Sequence, residues 1–104
     1  MIYKVWTRPQ ALKETAALPG HVRQRVKRAI SDLAANPRPP ESQDMGTPAD
    51  VLGEGYEARR LRLDRWRVVY LVDHDNEWVY VLAVRRRPPY DYADLVELIR
   101  EVLG

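Results

Sequence analysis

Residues 59–73 read RRLRLDRWRVVYLVD, and WVYVLAV follows at 78–84. Arg60-Leu61-Arg62-Leu63 alternates with the period of two that marks a strand with one wet and one dry face. After Asp64-Arg65 the run Trp66-Arg67-Val68-Val69-Tyr70-Leu71-Val72 resumes in residues that favour strands. Two such runs separated by two residues predict a tight hairpin. A loop of that length sets Arg62 opposite Arg67 on one face and turns Leu63 and Trp66 to the other. Asp64-Arg65 lacks the glycine preferred in a two-residue turn, so the register stays open at this point. The stretch WVYVLAV is apolar at both parities, as expected of a strand covered on both faces in mid-sheet. It runs into Arg85-Arg86-Arg87, and Pro88-Pro89 blocks further ladder pairing.

Upstream, Ile2, Tyr3, Val5 and Trp6 predict a short opening strand. Thr7 and Gln10, with Pro9 between them, read as a capping box that starts a helix over about residues 8–17. Leu18-Pro19-Gly20 breaks it. Val22, Val26, Ala29, Ile30 and Leu33 then recur at helical spacing, with Arg23, Lys27 and Arg28 mostly off that stripe. This second, amphipathic helix has to stop at Asn36, because a proline at 37 disfavours helical geometry in the residue before it. The polar stretch from Pro37 to Gly55 reads as a loop. Beyond the tandem prolines, Asp91 is placed to cap a last helix carrying Leu95, Ile99, Val102 and Leu103. The order is β-α-α-β-β-β-α, an α+β arrangement.

A chain of 104 residues and 12.1 kDa, 45% hydrophobic, has room for one domain spanning 1–104 with a modest core. No run of about 18 uncharged apolar residues is present, and Lys4 and Arg8 interrupt the N-terminus before a signal-like core can form. The expectation is a soluble, cytoplasmic protein without membrane association. The chain has no cysteine, and His21 and His74 lie in different segments without ligand-like spacing, so neither a structural metal nor a cofactor is expected. Both histidines read as ordinary surface. The net charge of +2 hides segregation. Residues 39–57 carry five acids and no Lys or Arg, whereas residues 58–87 carry eight arginines against four acids. That distribution permits a basic face despite a nearly neutral total.

Fourteen of the seventeen basic residues are arginine, whose planar fork grips phosphate through two parallel hydrogen bonds and stacks on bases. Arg59, Arg60, Arg62, Arg65 and Arg67 on the hairpin and Arg85, Arg86 and Arg87 at the end of the last strand are positioned to converge on one sheet. The competing expectation pairs some of them with the acidic 39–57 loop or with the C-terminal helix. Tyr90 and Tyr92 follow the triplet, where a phenol can stack on a base or bond a phosphate. Trp66, Trp78, Tyr70 and Tyr80 lie inside strand patterns and read as packing. No hydrolytic triad, paired-carboxylate pattern or glycine-rich phosphate loop is present. Catalysis, if any, rests on arginine, tyrosine and the substrate's own groups, of which RNA offers the 2′-hydroxyl.

Taken in order, five pieces resemble the RelE/ParE superfamily of type II toxin–antitoxin systems over essentially the whole chain. They are the opening strand with a helix around Ala11-Leu12, the helix ending at Leu33 through Pro37, the hairpin, the strand WVYVLAV, and the tail RRRPPYDY. The resemblance implies a small twisted, mostly antiparallel sheet with two N-terminal helices and a C-terminal helix. For RelE-like members it implies metal-independent cleavage of messenger RNA on the ribosome, the 2′-hydroxyl attacking its neighbouring phosphate. Arg67 then matches the arginine that holds the scissile phosphate, Arg86 or Arg87 the arginine ending the last strand, and Tyr90 or Tyr92 the tyrosine beyond it. Arg60, Arg62, Arg65 and Arg85 would contact the substrate. Many relatives carry Gly-His-Arg before that tyrosine. This chain has Arg85-Arg86-Arg87 instead, and arginine stays protonated, so proton transfer would fall to a tyrosine or to the ribosome. The missing imidazole keeps two other readings open: a ParE-like poison of DNA gyrase, and a non-toxic module that binds nucleic acid or an antitoxin. Each version expects a cognate antitoxin as partner, and a monomer or dimer when alone.

Overall fold

In the computed structural model, which describes residues 2–47 and 49–104, the chain runs β1 (Lys4–Thr7), α1 (Pro9–Ala16), α2 (Gly20–Asp32), β2 (Ser42–Asp44), α3 (Ala49–Leu52), β3 (Tyr56–Leu63), β4 (Trp66–Asp73), β5 (Trp78–Arg86) and α4 (Leu95–Leu103). The strands form one mixed sheet in the order β1-β5-β4-β3-β2, with β1 parallel to β5 and the other neighbours antiparallel. The fold is α+β, as expected. Hydrophobic alternation explains why the sheet is covered on both sides. Leu61, Leu63, Val68, Tyr70, Val79 and Val81 point to one face, where Ala11, Val22, Val26 and Ile30 of the two N-terminal helices close over them. Ala58, Val69, Leu71, Leu82 and Ala83 point to the other, beneath Leu52, Leu98 and Ile99.

The hairpin has the register that a two-residue loop dictates, with Arg62 opposite Arg67 and Leu63 opposite Trp66. The missing glycine is replaced by Asp64, which takes a left-handed backbone at φ 55°, a conformation that Asp tolerates better than most residues. Val79 and Val81 through Val84 are at most 2% exposed, in keeping with a strand covered on both faces, while Tyr80 between them is half-buried.

Three local expectations are corrected. Residues 37–55 are not all loop, because Ser42–Asp44 pairs antiparallel with Leu61–Arg59 as an edge strand and Ala49–Leu52 forms a helical turn over the second core face. Arg8, not Thr7, occupies the position before α1, and no side chain caps that end, so the capping box is absent. Asp94 rather than Asp91 immediately precedes α4; Asp91 accepts the backbone N–H of Ala93 instead.

His74 is also more than surface. It joins a cluster around Glu57, whose carboxylate accepts from Arg38 (2.9 Å), Arg59 (2.8 Å) and His74 Nε2 (3.1 Å). The Tyr3 hydroxyl lies 3.1 Å from His74 Nδ1, an arrangement satisfied when the hydroxyl donates and the ring carries its proton on Nε2. Residues from the start of the chain, the segment after α2 and the β4–β5 turn are thereby tied to β3. Burial pushes the Glu57 carboxyl up, but the hydrogen bonds from Arg38, His74 and Arg59 outweigh it and bring the group from 4.5 to about 2. A depressed carboxylate stabilises the fold above its unfolded value and loses that contribution as pH falls through the folded one. Urea unfolding should show stability declining between pH 4.5 and about 2. Glu57→Gln should be less stable than the parent at neutral pH and flatter across that window.

Candidate nucleic-acid interface

The sheet's hydrogen-bond register decides which arginines meet. Arg62 pairs with Arg67, and Arg67 pairs with Arg85, so three guanidinium side chains leave adjacent strands on one rung. Between Val69 and Tyr70 the β4–β5 register shifts: Val69 lies opposite Ala83 and Tyr70 opposite Val81, leaving Leu82 as an extra residue. Leu82 and Ala83 both face α4, and beyond them the parity of β5 is inverted, with Val84 on the side of the N-terminal helices. Arg85 therefore shares the face of Arg60, Arg62 and Arg67. Arg86 shares the opposite face with its pair partner Trp66.

Arg60, Arg62, Arg67, Arg87 and Tyr92 line an open concavity of about 700 Å³ at the hairpin end of the sheet. The edge strand supplies a wall through Ser42 and Gln43, with Glu41 before it; Arg25 of α2 and Asp64 complete the rim. Arg60 Nη2 donates to Gln43 Oε1 at 2.8 Å. Arg67 Nη1 donates to the carbonyl oxygens of Asp64 (2.8 Å) and Trp66 (3.0 Å), which aims the guanidinium without neutralising it. Tyr92 sits beneath two cations, with Arg60 Cζ 5.3 Å and Arg87 Cζ 5.0 Å from its ring centroid. Among the described residues none of these four arginines has a carboxylate within ion-pair distance. Asp64 is engaged by Arg25 at 2.5 Å, which leaves Glu41 as the one carboxylate among the described lining residues outside an ion pair.

The other candidates lie elsewhere. Arg85 is tied to Glu14 of α1 and, at 3.1 Å, to Asp94 ahead of α4. Burial works against its charge, but the two carboxylates overcome that and raise its pKa. Tyr90 donates its hydroxyl to Asp94 at 2.6 Å; burial, reinforced by that carboxylate, pushes the phenol well above its ordinary value. Arg65, in the hairpin turn, lines a separate and smaller concavity with His21, Val22 and Trp66 on the α2 side. Arg59 is held by Glu57 and Ser42 on that same side. Five side chains are thus gathered in the concavity, and Arg85, Tyr90, Arg86 and Arg65 are not among its free cations or phenols. The wall formed by residues 41–43 was not read from the sequence; the two turnless polar residues Ser42-Gln43 carry no alternation that would signal a strand.

The family model described as the ParE toxin of the type II toxin–antitoxin system, parDE, matches residues 5–88. The chain belongs to the RelE/ParE superfamily of toxins. Solved RelE structures share the toxin's fold. It is similar to the RelE–RelB complex of the archaeon Pyrococcus horikoshii OT3, with a TM-score of 0.73 at 22% identity, covering 86% of this chain and 100% of that one. A double mutant of the E. coli toxin RelE in the free state gives a TM-score of 0.67 at 22% identity and covers 100% of both chains. The intact E. coli RelBE complex gives 0.60 at 26% identity, over 81% of this chain and 95% of that one. No curated protein sequence matches the toxin. Among its described residues, no helix is long and apolar enough to cross a membrane.

The contrast between bound and free arginines is measurable without any ligand. Arg85→Ala strands two partly buried carboxylates and should cost about 1.5–3 kcal/mol in urea unfolding. Arg62→Ala removes an exposed cation that faces another cation, and its stability should stay within about 0.5 kcal/mol of the parent.

Proposed function

We propose that this toxin is an endoribonuclease that cleaves messenger RNA on the ribosome and so arrests translation, residues 1–104 acting as one toxin domain. The observation that carries this reading is the set of four guanidiniums that line one open concavity, none ion-paired with a carboxylate among the described residues, two of them over the Tyr92 ring. Such a site is shaped for a phosphodiester: the forks supply paired N–H donors, and the ring and the arginine planes offer stacking surface to an unpaired base. In the reaction the 2′-oxygen forms a bond to the neighbouring phosphorus while the bond to the 5′-oxygen breaks. One proton leaves the 2′-hydroxyl and one joins the departing 5′-oxygen. Charge gathers on the phosphate oxygens midway, and Arg67, held from behind by two carbonyls, meets it with a guanidinium that need not reorganise. Arg60, Arg62 and Arg87 hold the strand. Glu41 is the chain's own candidate for taking up the 2′ proton.

The cognate partner is an antitoxin, a reading supported by the toxin–antitoxin complexes among the similar structures. An acidic or amphipathic segment suits a basic concavity of this kind. In the cell the complex would reside in the cytoplasm.

A second reading, inhibition of DNA gyrase, is favoured by the ParE description of the matching family model and by the lack of an imidazole among the described residues lining the concavity. One experiment separates the two: expression in a translating extract with reporter messages mapped for new 5′ ends, and gyrase supercoiling followed in parallel. New 5′ ends that need ribosomes are expected, with Arg67→Ala lowering the cleavage rate by about 10²–10³ while leaving the fold intact. Intact messages together with lost supercoiling would decide for gyrase.

A further inference from the structure

Family likeness ranks the tyrosine beyond the last strand among the catalytic groups, yet the surroundings of Tyr92 suit another task. Its backbone is held at φ 63°, a costly conformation for a tyrosine that persists only where neighbours enforce it. The neighbour is Tyr90, whose ring meets that of Tyr92 edge-on, with centroids 4.9 Å apart and planes at 64°. Tyr90 is itself anchored through its hydroxyl to Asp94. The Tyr92 hydroxyl oxygen is buried and has no hydrogen-bond partner among the described residues. A general acid or base has to reach the proton it moves, and this oxygen is enclosed.

The ring is what the concavity uses. Arg60 comes from β3 and Arg87 from beyond the end of β5, with β4 between them, so their side chains start about two strand spacings apart, roughly 10 Å. Both guanidiniums nevertheless lie over the Tyr92 ring, at 5.3 and 5.0 Å from its centroid. An aromatic face attracts cations through its quadrupole, while the two cations repel each other and, among the described residues, neither has a carboxylate within ion-pair distance. An anion set between the forks would relieve that repulsion.

We propose that Tyr92 is a positioning residue, a pillar whose ring sets Arg60 and Arg87 as the two jaws of a phosphate clamp, with its hydroxyl taking no part in proton transfer. This deepens the proposed RNA reading and rests on it for the cleavage readout alone.

The test titrates the full chain with inorganic phosphate and follows the arginine Nε–Hε signals by NMR, and separately measures message cleavage in the translating extract. In the parent and in Tyr92→Phe the Arg60 and Arg87 signals should move together with one affinity, and removal of the hydroxyl should leave the shape of the pH profile of cleavage as it is in the parent. Tyr92→Leu should weaken phosphate binding about tenfold and uncouple the two signals. If Tyr92→Leu fails to fold, Tyr92→Phe decides. A loss of cleavage of about a hundredfold on removing the hydroxyl, or a changed pH profile, overturns the pillar. So does a parent protein in which phosphate moves only one of the two signals. Coupled signals in a parent that cleaves no message uphold the clamp and sink the ribonuclease reading instead.

Discussion

Cationic side chains that leave neighbouring strands side by side repel one another, and antiparallel pairing normally avoids placing like charges opposite. Here Arg62, Arg67 and Arg85 stand on one rung of three consecutive strands. The chain answers this differently along the rung. Glu14 and Asp94 neutralise Arg85, whereas Arg62 and Arg67 are left uncompensated. The sheet cannot slide to relieve them. Both of its faces are buried, and slipping β4 by one residue would carry Val68 and Tyr70, fully enclosed against the N-terminal helices, onto the side of α4. Burial of apolar side chains thus holds in place an arrangement that electrostatics alone would disperse, and the concavity exists because of that imbalance.

The acids are distributed to the same end. Glu57, Glu14, Glu101 and Asp94 engage Arg38, Arg59, Arg85 and Arg8, of which Arg85 alone adjoins the free cluster. A nearly neutral total charge and a concentrated cationic surface are therefore compatible: carboxylates silence the arginines that hold the fold and spare Arg60, Arg62, Arg67 and Arg87. The Glu57 cluster ties the far end of the sheet together, and the hairpin end is left open to carry charge.

Much of this was legible in the sequence. Two residues between the strand-forming runs point to Arg62 against Arg67, since a loop that short allows few registers, and the fold settles the register that the missing glycine left open. The both-parity apolar run names the covered strand, and the stripe from Val22 to Leu33 names the helix face that covers it. What escaped depends on contacts made at a distance. Ser42–Asp44 becomes a strand only because β3 presents it with an edge, and nothing in Ser-Gln-Asp favours that. Thr7 and Gln10 have the composition of a capping box, but the residue entering the helix is Arg8 with extended backbone. Tyr90 and Tyr92 are equivalent in composition. Asp94 claims the hydroxyl of one, and the arginines claim the ring of the other.

Leu82, the supernumerary residue of β5, has a consequence for how such a tail tolerates change. Strict alternation would have sent Arg86 toward the concavity and Arg85 with Arg87 behind it; a single inserted position exchanges them. Because three arginines follow one another, either phase of the strand delivers a guanidinium to the working side, so an insertion or deletion in this stretch alters which side chain serves without discharging the surface. Tyr92 has no such duplicate. Its partner Tyr90 is committed to Asp94, and the spacing from Arg87 to the aromatic ring is therefore the dimension of this tail least free to drift.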